Sequence, residues 1–158
     1  MTDFFSYQPE PDKPRSATPA AEPPHAILAE LSGEDWEHVI RFAARRRFPA
    51  GAVLVRAGES DRALHFVASG QVELQGPGPG ALPSLRGEGE VFGVLSFLDG
   101  APSAVTVTVA AAGPAEVLRI TPEALQQLAA WQPRIATELL RDLGAHVAAR
   151  LRRLQAAD

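Results

Sequence analysis

The stretch GEGEVFGVLSFLDGAPSAV, residues 87–105, lies within the part of the chain whose glycine pattern best indicates the fold class. Eleven of the 13 glycines fall between residues 51 and 113, where they separate short segments of alternating apolar and polar residues. Such alternation is typical of half-buried strands, and glycine or proline between the runs is typical of tight turns. The pattern favours a small antiparallel sandwich or barrel. It predicts strands at 53–55, 63–67, 71–74, 104–109 and 117–120, with an exposed hairpin loop at 76–80.

A helical pattern precedes this β-region. Ser32 is a good N-cap, and the apolar residues that follow it recur at helical spacing, which predicts a helix from Gly33 to Arg45. The helix would end in the run Arg45-Arg46-Arg47, where positive charge suits the negative end of the helix dipole. A patch for nucleic acid or another anionic partner is the alternative interpretation of these arginines.

Two helices are predicted after the strands. Thr121-Pro122-Glu123 combines a cap, a proline suited to the first helical position and an early carboxylate, which predicts a helix over 122–131. Pro133 begins a second helix, 133–155, which is longer than the sheet needs for cover. We expect it to pair with a second copy of the chain, and packing within its own domain is the alternative. Its apolar stripe consists of Ile135, Leu139, Leu143, Val147, Leu151 and Leu154.

The first 25 residues differ from the rest of the chain. They hold six of the 14 prolines, and no large apolar residue follows Tyr7, so residues 1–25 are predicted to be a disordered tail before a domain at 26–158. The aromatic cluster of Phe4, Phe5 and Tyr7 is either an incidental apolar terminus or a docking peptide for a protein partner.

Composition and charge exclude several classes of protein. The chain has 158 residues, about one domain, and no cysteine, which excludes a disulfide scaffold and a thiolate metal site. No apolar run approaches the roughly 18 residues of a membrane span, and no secretory signal is readable, so we expect a cytoplasmic protein. The net charge of −4 argues against binding of nucleic-acid backbones.

The sequence shows no motif of catalysis or metal binding. The four histidines stand alone, without the close pair that a zinc site needs, so no metal site is expected. We find no nucleophile elbow and no phosphate loop of the Gly-x-x-x-x-Gly-Lys type. We therefore expect neither an enzyme nor a resident cofactor.

The order of elements resembles the cyclic nucleotide-binding domain of catabolite activator-type regulators, kinase regulatory subunits and gated channels. The resemblance covers residues 27–155 and is carried by the segments 48–59, 64–73, 87–93 and 98–102. It implies an α+β fold in which an antiparallel β-roll (a double-stranded β-helix or jelly roll) is flanked by an N-terminal helix and two C-terminal helices, the last one long.

The resemblance also implies a ligand pocket around a phosphate-binding cassette. In the family, amides at the start of a short helix face the cyclic phosphate, a glutamate accepts the ribose hydroxyl, and an arginine pairs with the phosphate. Here the glutamate position is Val94 and the arginine position is Ser103. Hydrogen bonds to charged groups contribute about 1.5–3 kcal/mol each, so losing two weakens binding by roughly a hundredfold to ten-thousandfold. The candidate pocket residues are Phe92, Gly93, Val94, Leu95, Ser96, Pro102, Ser103 and Ala104.

These observations favour a non-catalytic regulatory or interaction module that does not bind cAMP or cGMP by the usual glutamate–arginine chemistry. The alternatives are a genuine cyclic nucleotide sensor with substitute groups, a pocket for another small anion, and a structural subunit that docks through residues 4–7. Regulators of this type carry a helix-turn-helix domain after the long helix. None is readable before Asp158, so we expect no sequence-specific DNA binding.

Overall fold

The computed structural model describes residues 31–156. The predicted tail at 1–25, including Phe4, Phe5 and Tyr7, lies outside the described residues. The elements in chain order are α1 (Gly33–Arg41), β1 (Ala44–Phe48), β2 (Val53–Val55), β3 (Leu64–Ser69), β4 (Val72–Gln75), β5 (Ser84–Arg86), β6 (Val91–Phe92), α2 (Val94–Asp99), β7 (Thr106–Val109), β8 (Ala115–Ile120), α3 (Pro122–Trp131) and α4 (Pro133–Ala156).

Within residues 31–156 the strands form two four-stranded antiparallel sheets that together make a β-roll. Their strand orders are β1-β8-β3-β6 and β2-β7-β4-β5. Strands β4 and β5 are joined by the glycine- and proline-rich loop that the sequence predicts, and residues 77–80 of this loop are exposed. The predicted α+β fold, with its N-terminal helix and its long last helix, is confirmed.

The buried apolar residues form two clusters, one on each side of the sheet β1-β8-β3-β6. The helix-side cluster joins that sheet to the helices and includes Phe66, Leu118, Ile120, Leu128 and Leu139. The roll-interior cluster lies between the two sheets: Val55, Val67, Val72, Phe92, Val107, Val109, Ala115 and Val117. Alternate residues of a strand point to opposite faces, so β3 and β8 contribute to both clusters.

The predicted end of the first helix is wrong. Helix α1 begins as expected, with the Ser32 hydroxyl accepting from the Asp35 N–H, but it ends at Arg41. The three arginines lie on β1 instead, which pairs with β8 over five residues. Arg45 donates to the Glu116 carboxylate at 2.6 Å across this pair. Strand pairing therefore overrides the good helix propensity of arginine.

The helices after the roll are confirmed with small changes at their ends. The Thr121 hydroxyl accepts from the Ala124 N–H, and Pro122 is the first residue of α3. Helix α4 runs one residue further than expected, to Ala156. Its beginning is fixed to α1, because the guanidinium of Arg134 donates to both oxygens of Asp35 at 2.9 Å.

Candidate functional site

The candidate site lies where β6 ends and α2 begins. Gly93 separates the two elements with a φ of 81°, and the first helical bond runs from the Phe97 N–H to the Gly93 carbonyl. A Cβ at Gly93 would lie 2.7 Å from the carbonyl oxygen of Ala63 and 3.3 Å from Cδ2 of His65. This position therefore requires glycine for both its backbone conformation and its space.

The predicted pocket residues of α2 point in different directions. Val94 is 4% exposed and packs in the helix-side cluster, with Phe97. Ser96 is buried, whereas Leu95 is half exposed. Phe92, the last residue of β6, points the other way and belongs to the roll-interior cluster. Phe92 therefore faces the roll interior, while Val94 packs in the core beneath the helices.

The turn that follows α2 and contains Ser103 is hydrogen-bonded to the loop before β3. The Ser103 N–H donates to the Glu59 carbonyl at 2.9 Å, and the Ser103 carbonyl accepts from the Gly58 N–H at 2.7 Å. The Ser103 hydroxyl donates to the Val105 carbonyl at 2.7 Å and accepts from the Val105 N–H at 3.3 Å. Ser103 therefore acts as a local turn residue, and its neighbours Pro102 and Ala104 are exposed.

The sequence did not predict a partly buried polar cluster that lies next to Gly93. His65 points into the end of the roll and stacks on Phe92, with ring centroids 4.5 Å apart. The Asp61 carboxylate accepts from Nε2 of His65 at 2.8 Å and from Arg119 at 2.9 Å. Nδ1 of His65 is buried without a hydrogen-bond partner among the described residues. The short sequence separation of Asp61 and His65 was the available signal, but Arg119 lies 58 residues away from Asp61 and only the fold brings it there.

The cluster fixes the charge of Asp61. The hydrogen bond from His65 lowers the pKa of Asp61 to about 2 from its ordinary 3.8. Burial opposes this change, and the hydrogen bond from Arg119 adds to it. The carboxylate is therefore ionised across the physiological range and can only accept hydrogen bonds, so Nε2 of His65 carries a hydrogen.

The stripe expected to form a dimer divides into two parts in the structure. Ile135, Leu139 and Leu143 are fully buried in the helix-side cluster, and Val147 packs partly against it. Leu151 and Leu154 are 53% and 66% exposed. The first half of α4 therefore packs on its own domain.

Residues 31–156 contain neither a candidate metal site nor a candidate membrane span. This part of the chain contains no group of three His, Asp or Glu side chains that could share a metal ion. None of its helices is both long enough and apolar enough to cross a bilayer.

Comparison with curated proteins gives several partial matches. The chain is 34% identical over 98 residues to a cyclic nucleotide-gated potassium channel of Mesorhizobium japonicum, covering 62% of this chain and 26% of the channel. It is 29% identical over 126 residues to glutaminase 2 of Bradyrhizobium diazoefficiens, covering 80% of this chain and 20% of that protein. The chain thus spans about a fifth to a quarter of the length of these relatives.

Solved structures and a family model agree with the fold. The catabolite activator protein of Thermus thermophilus matches with a TM-score of 0.69 and 28% identity, over 82% of this chain and 59% of that one. The N-terminal domain of a Streptomyces coelicolor transcriptional regulator matches with a TM-score of 0.67 and 27% identity, over 84% and 90%. The family model of the cyclic nucleotide-binding domain matches residues 45–130 of the sequence, which include the roll, the cassette and most of α3. This chain belongs to the cyclic nucleotide-binding domain family.

Proposed function

We propose that this chain is a non-catalytic, cytoplasmic regulatory module that does not hold cAMP or cGMP through the glutamate–arginine pair of its family. One observation supports the proposal: the side chains at the family's glutamate and arginine positions, Val94 and Ser103, already make contacts within the fold. Val94 packs in the helix-side cluster, and the Ser103 hydroxyl is bonded to Val105. Neither can supply the charge that the resemblance assigns to it.

Titration of the full chain with cAMP and cGMP tests this proposal. Losing two charge-assisted hydrogen bonds weakens the binding of a micromolar ligand by roughly a hundredfold to ten-thousandfold, so calorimetry is expected to give dissociation constants above about 0.1 mM. The variant Ser103→Arg is expected to raise the affinity for cAMP at least about tenfold. Leu82→Arg, with the same charge on a residue that is 82% exposed in the β4–β5 loop, is the control and is expected to leave it unchanged. A micromolar dissociation constant for the unmodified chain would contradict the proposal.

We also propose that the module is a homodimer that pairs through the outward face of α4. This face, here called the α4 seam, has the 3-4 spacing of a two-stranded coiled coil. Leu140, Leu151 and Leu154 are 44% to 66% exposed, and nothing lies within 4 Å of a Cβ built on Gly144. A seam with this repeat is complementary to a second copy of itself, and the glycine permits close approach of the two helices. The α4 seam consists of Thr137, Leu140, Gly144, Val147, Leu151 and Leu154.

A charge in the α4 seam tests the dimer. Leu151→Glu removes one leucine that the dimer would bury from each copy, at about 1.5–3 kcal/mol each, so the dimer dissociation constant is expected to rise more than about a hundredfold. Leu82→Glu is the matched control, because Leu82 is 82% exposed in the β4–β5 loop. Sedimentation equilibrium measures both. A monomeric parent chain, or a Leu151→Glu variant that dimerises as the parent does, contradicts the α4 seam.

A further inference from the structure

Strand β1 is an edge strand that carries three exposed arginines, Arg45, Arg46 and Arg47. It stands at one end of the order β1-β8-β3-β6, and β8 is its one partner among the described strands. Apart from this pair, no backbone hydrogen bond joins residues 44–48 to the rest of residues 31–156. The outer edge of β1 therefore offers N–H and C=O groups to a further extended segment.

The charge of the three arginines is only partly balanced. In the β1–β8 register Glu116 lies opposite Arg47, and its carboxylate accepts from Arg45 at 2.6 Å. Neither Arg46 nor Arg47 forms an ion pair or a side-chain hydrogen bond with another described residue. Residues 38–58 contain five arginines and no acidic residue. The edge of β1 thus keeps a positive charge that attracts a segment with carboxylates.

A segment of matching chemistry lies in the same chain, outside the described residues. Residues 1–12 contain no basic side chain and three carboxylates, those of Asp3, Glu10 and Asp12. The same segment contains the aromatic cluster of Phe4, Phe5 and Tyr7. Arginine pairs with carboxylates through its planar fork of donors and stacks on aromatic rings, so both kinds of side chain suit it.

The connection between this segment and β1 is long enough for the contact. Residues 13–32 lie between residues 1–12 and α1, and a connection of this length reaches up to about 66 Å. Helix α1 and the two residues after it place the beginning of β1 within about 30 Å of Ser32. A segment linked in this way has an effective concentration on the order of 1 mM, so even an affinity of about 1 mM would keep it bound for about half of the time.

We propose that residues 1–12 bind along the outer edge of β1 in the same chain, with their carboxylates paired to Arg46 and Arg47. The arginines then have two effects at this edge. They disfavour pairing with neutral or basic strands of other molecules, and they favour an acidic segment. The inference is independent of the proposed function, because it involves neither the cassette nor the α4 seam.

Paramagnetic relaxation enhancement in the full chain tests the proposal. The chain has no cysteine, so Thr2→Cys gives a single attachment point for a nitroxide. The amide signals of β1 are expected to lose at least about half of their intensity, relative to the same sample after reduction of the nitroxide. Strand β5, an edge of the other sheet, is the internal reference and is expected to lose less. No loss at β1, or an equal loss at β1 and β5, overturns the proposal.

Substitution of the arginines shows whether charge causes the effect. Arg46→Gln combined with Arg47→Gln is expected to reduce the signal loss at β1 at least about threefold. Arg62→Gln combined with Arg152→Gln removes two other exposed arginines and is the matched control, expected to leave the loss unchanged. Raising NaCl from about 0.02 M to about 0.5 M is expected to act as the first pair of substitutions does. An unchanged loss in the Arg46→Gln and Arg47→Gln chain overturns the proposal.

A mixed sample distinguishes binding within one chain from binding between two copies. Isotopically labelled chain without nitroxide is mixed with spin-labelled chain at natural abundance, so that only contacts between copies reduce the signals. No selective loss at β1 is expected in this sample. A loss as large as in the first experiment would assign the segment to a second copy and overturn the proposal.

Discussion

Replacing Asp61 by asparagine removes one negative charge from the polar cluster beside Gly93 and leaves the size of the side chain unchanged. The pKa of Asp61 is about 2 in the folded chain, against its ordinary 3.8. This difference corresponds to about 2 kcal/mol of folding free energy at pH 7. Because the folded pKa is the lower one, this contribution is fully present above pH 3.8 and is lost as the pH falls toward 2. About half of it, roughly 1 kcal/mol, remains at pH 3.

Urea denaturation of the parent chain and of Asp61→Asn at several pH values measures this difference directly. At pH 7 the variant is expected to be less stable by about 2 kcal/mol, and the two curves are expected to converge as the pH is lowered. Asp99→Asn is the matched control, because Asp99 is exposed and accepts from the Ala101 N–H through an oxygen that asparagine retains. Equal stabilities at pH 7, or a difference that stays constant down to pH 3, would contradict a stabilising charge on Asp61.

The other predictions concern the cassette turn and the helix cap. Gly93→Ala is expected to lower the free energy of unfolding by about 2–4 kcal/mol, because a Cβ there meets the Ala63 carbonyl and the backbone is left-handed. Gly89→Ala, at the similar φ of 84° but with open space around it, is expected to cost only about 1–2 kcal/mol, and equal losses would show that the contact is unimportant. Thr121→Ala is expected to cost about 1 kcal/mol in thermal unfolding through loss of the α3 cap, and an unchanged midpoint would argue against that cap. Ser103→Ala is expected to cost about 0.5–1.5 kcal/mol and to leave cAMP affinity unchanged, since its hydroxyl serves the turn; a change in affinity would place that hydroxyl at the ligand.

Local signals were sufficient for much of the fold. Ser32 and Thr121 cap the helices that the sequence predicts, and the glycines that separate apolar runs mark the turns of the roll. Both kinds of signal depend on a few consecutive residues, so they can be read without knowledge of the rest of the chain. The short strands β5 and β6 were missed, because three and two residues are too few to show a period.

Long-range contacts explain the remaining differences. Arg45 and its two neighbours form a strand because β8, about 70 residues later, offers a pairing edge and the Glu116 carboxylate. The packing of Val94 in the helix-side core depends on helices that follow it in the chain, so the sequence around residue 94 could not predict it. Arg86 lies in a strand of three residues, which is too short for a period to predict where its side chain points. Only its register opposite Val72 shows that it points inward.

Helix α4 is held firmly only along its first half. The ion pair of Arg134 with Asp35 and the buried residues from Ile135 to Leu143 hold that part, whereas no residue of α4 after Leu143 is fully buried. The remaining 13 residues, at 1.5 Å per residue, form a rod about 20 Å long. A tilt of about 10° where the rod leaves the core displaces its tip by about 3 Å. Residues 133–143 of α4 thus pack on the domain together with α2, whereas residues 144–156 extend beyond the buried core and would pack on the second copy in the proposed dimer. A tilt of α4 at residue 143 would therefore displace Ala156 most, and with it the surface that the second copy meets.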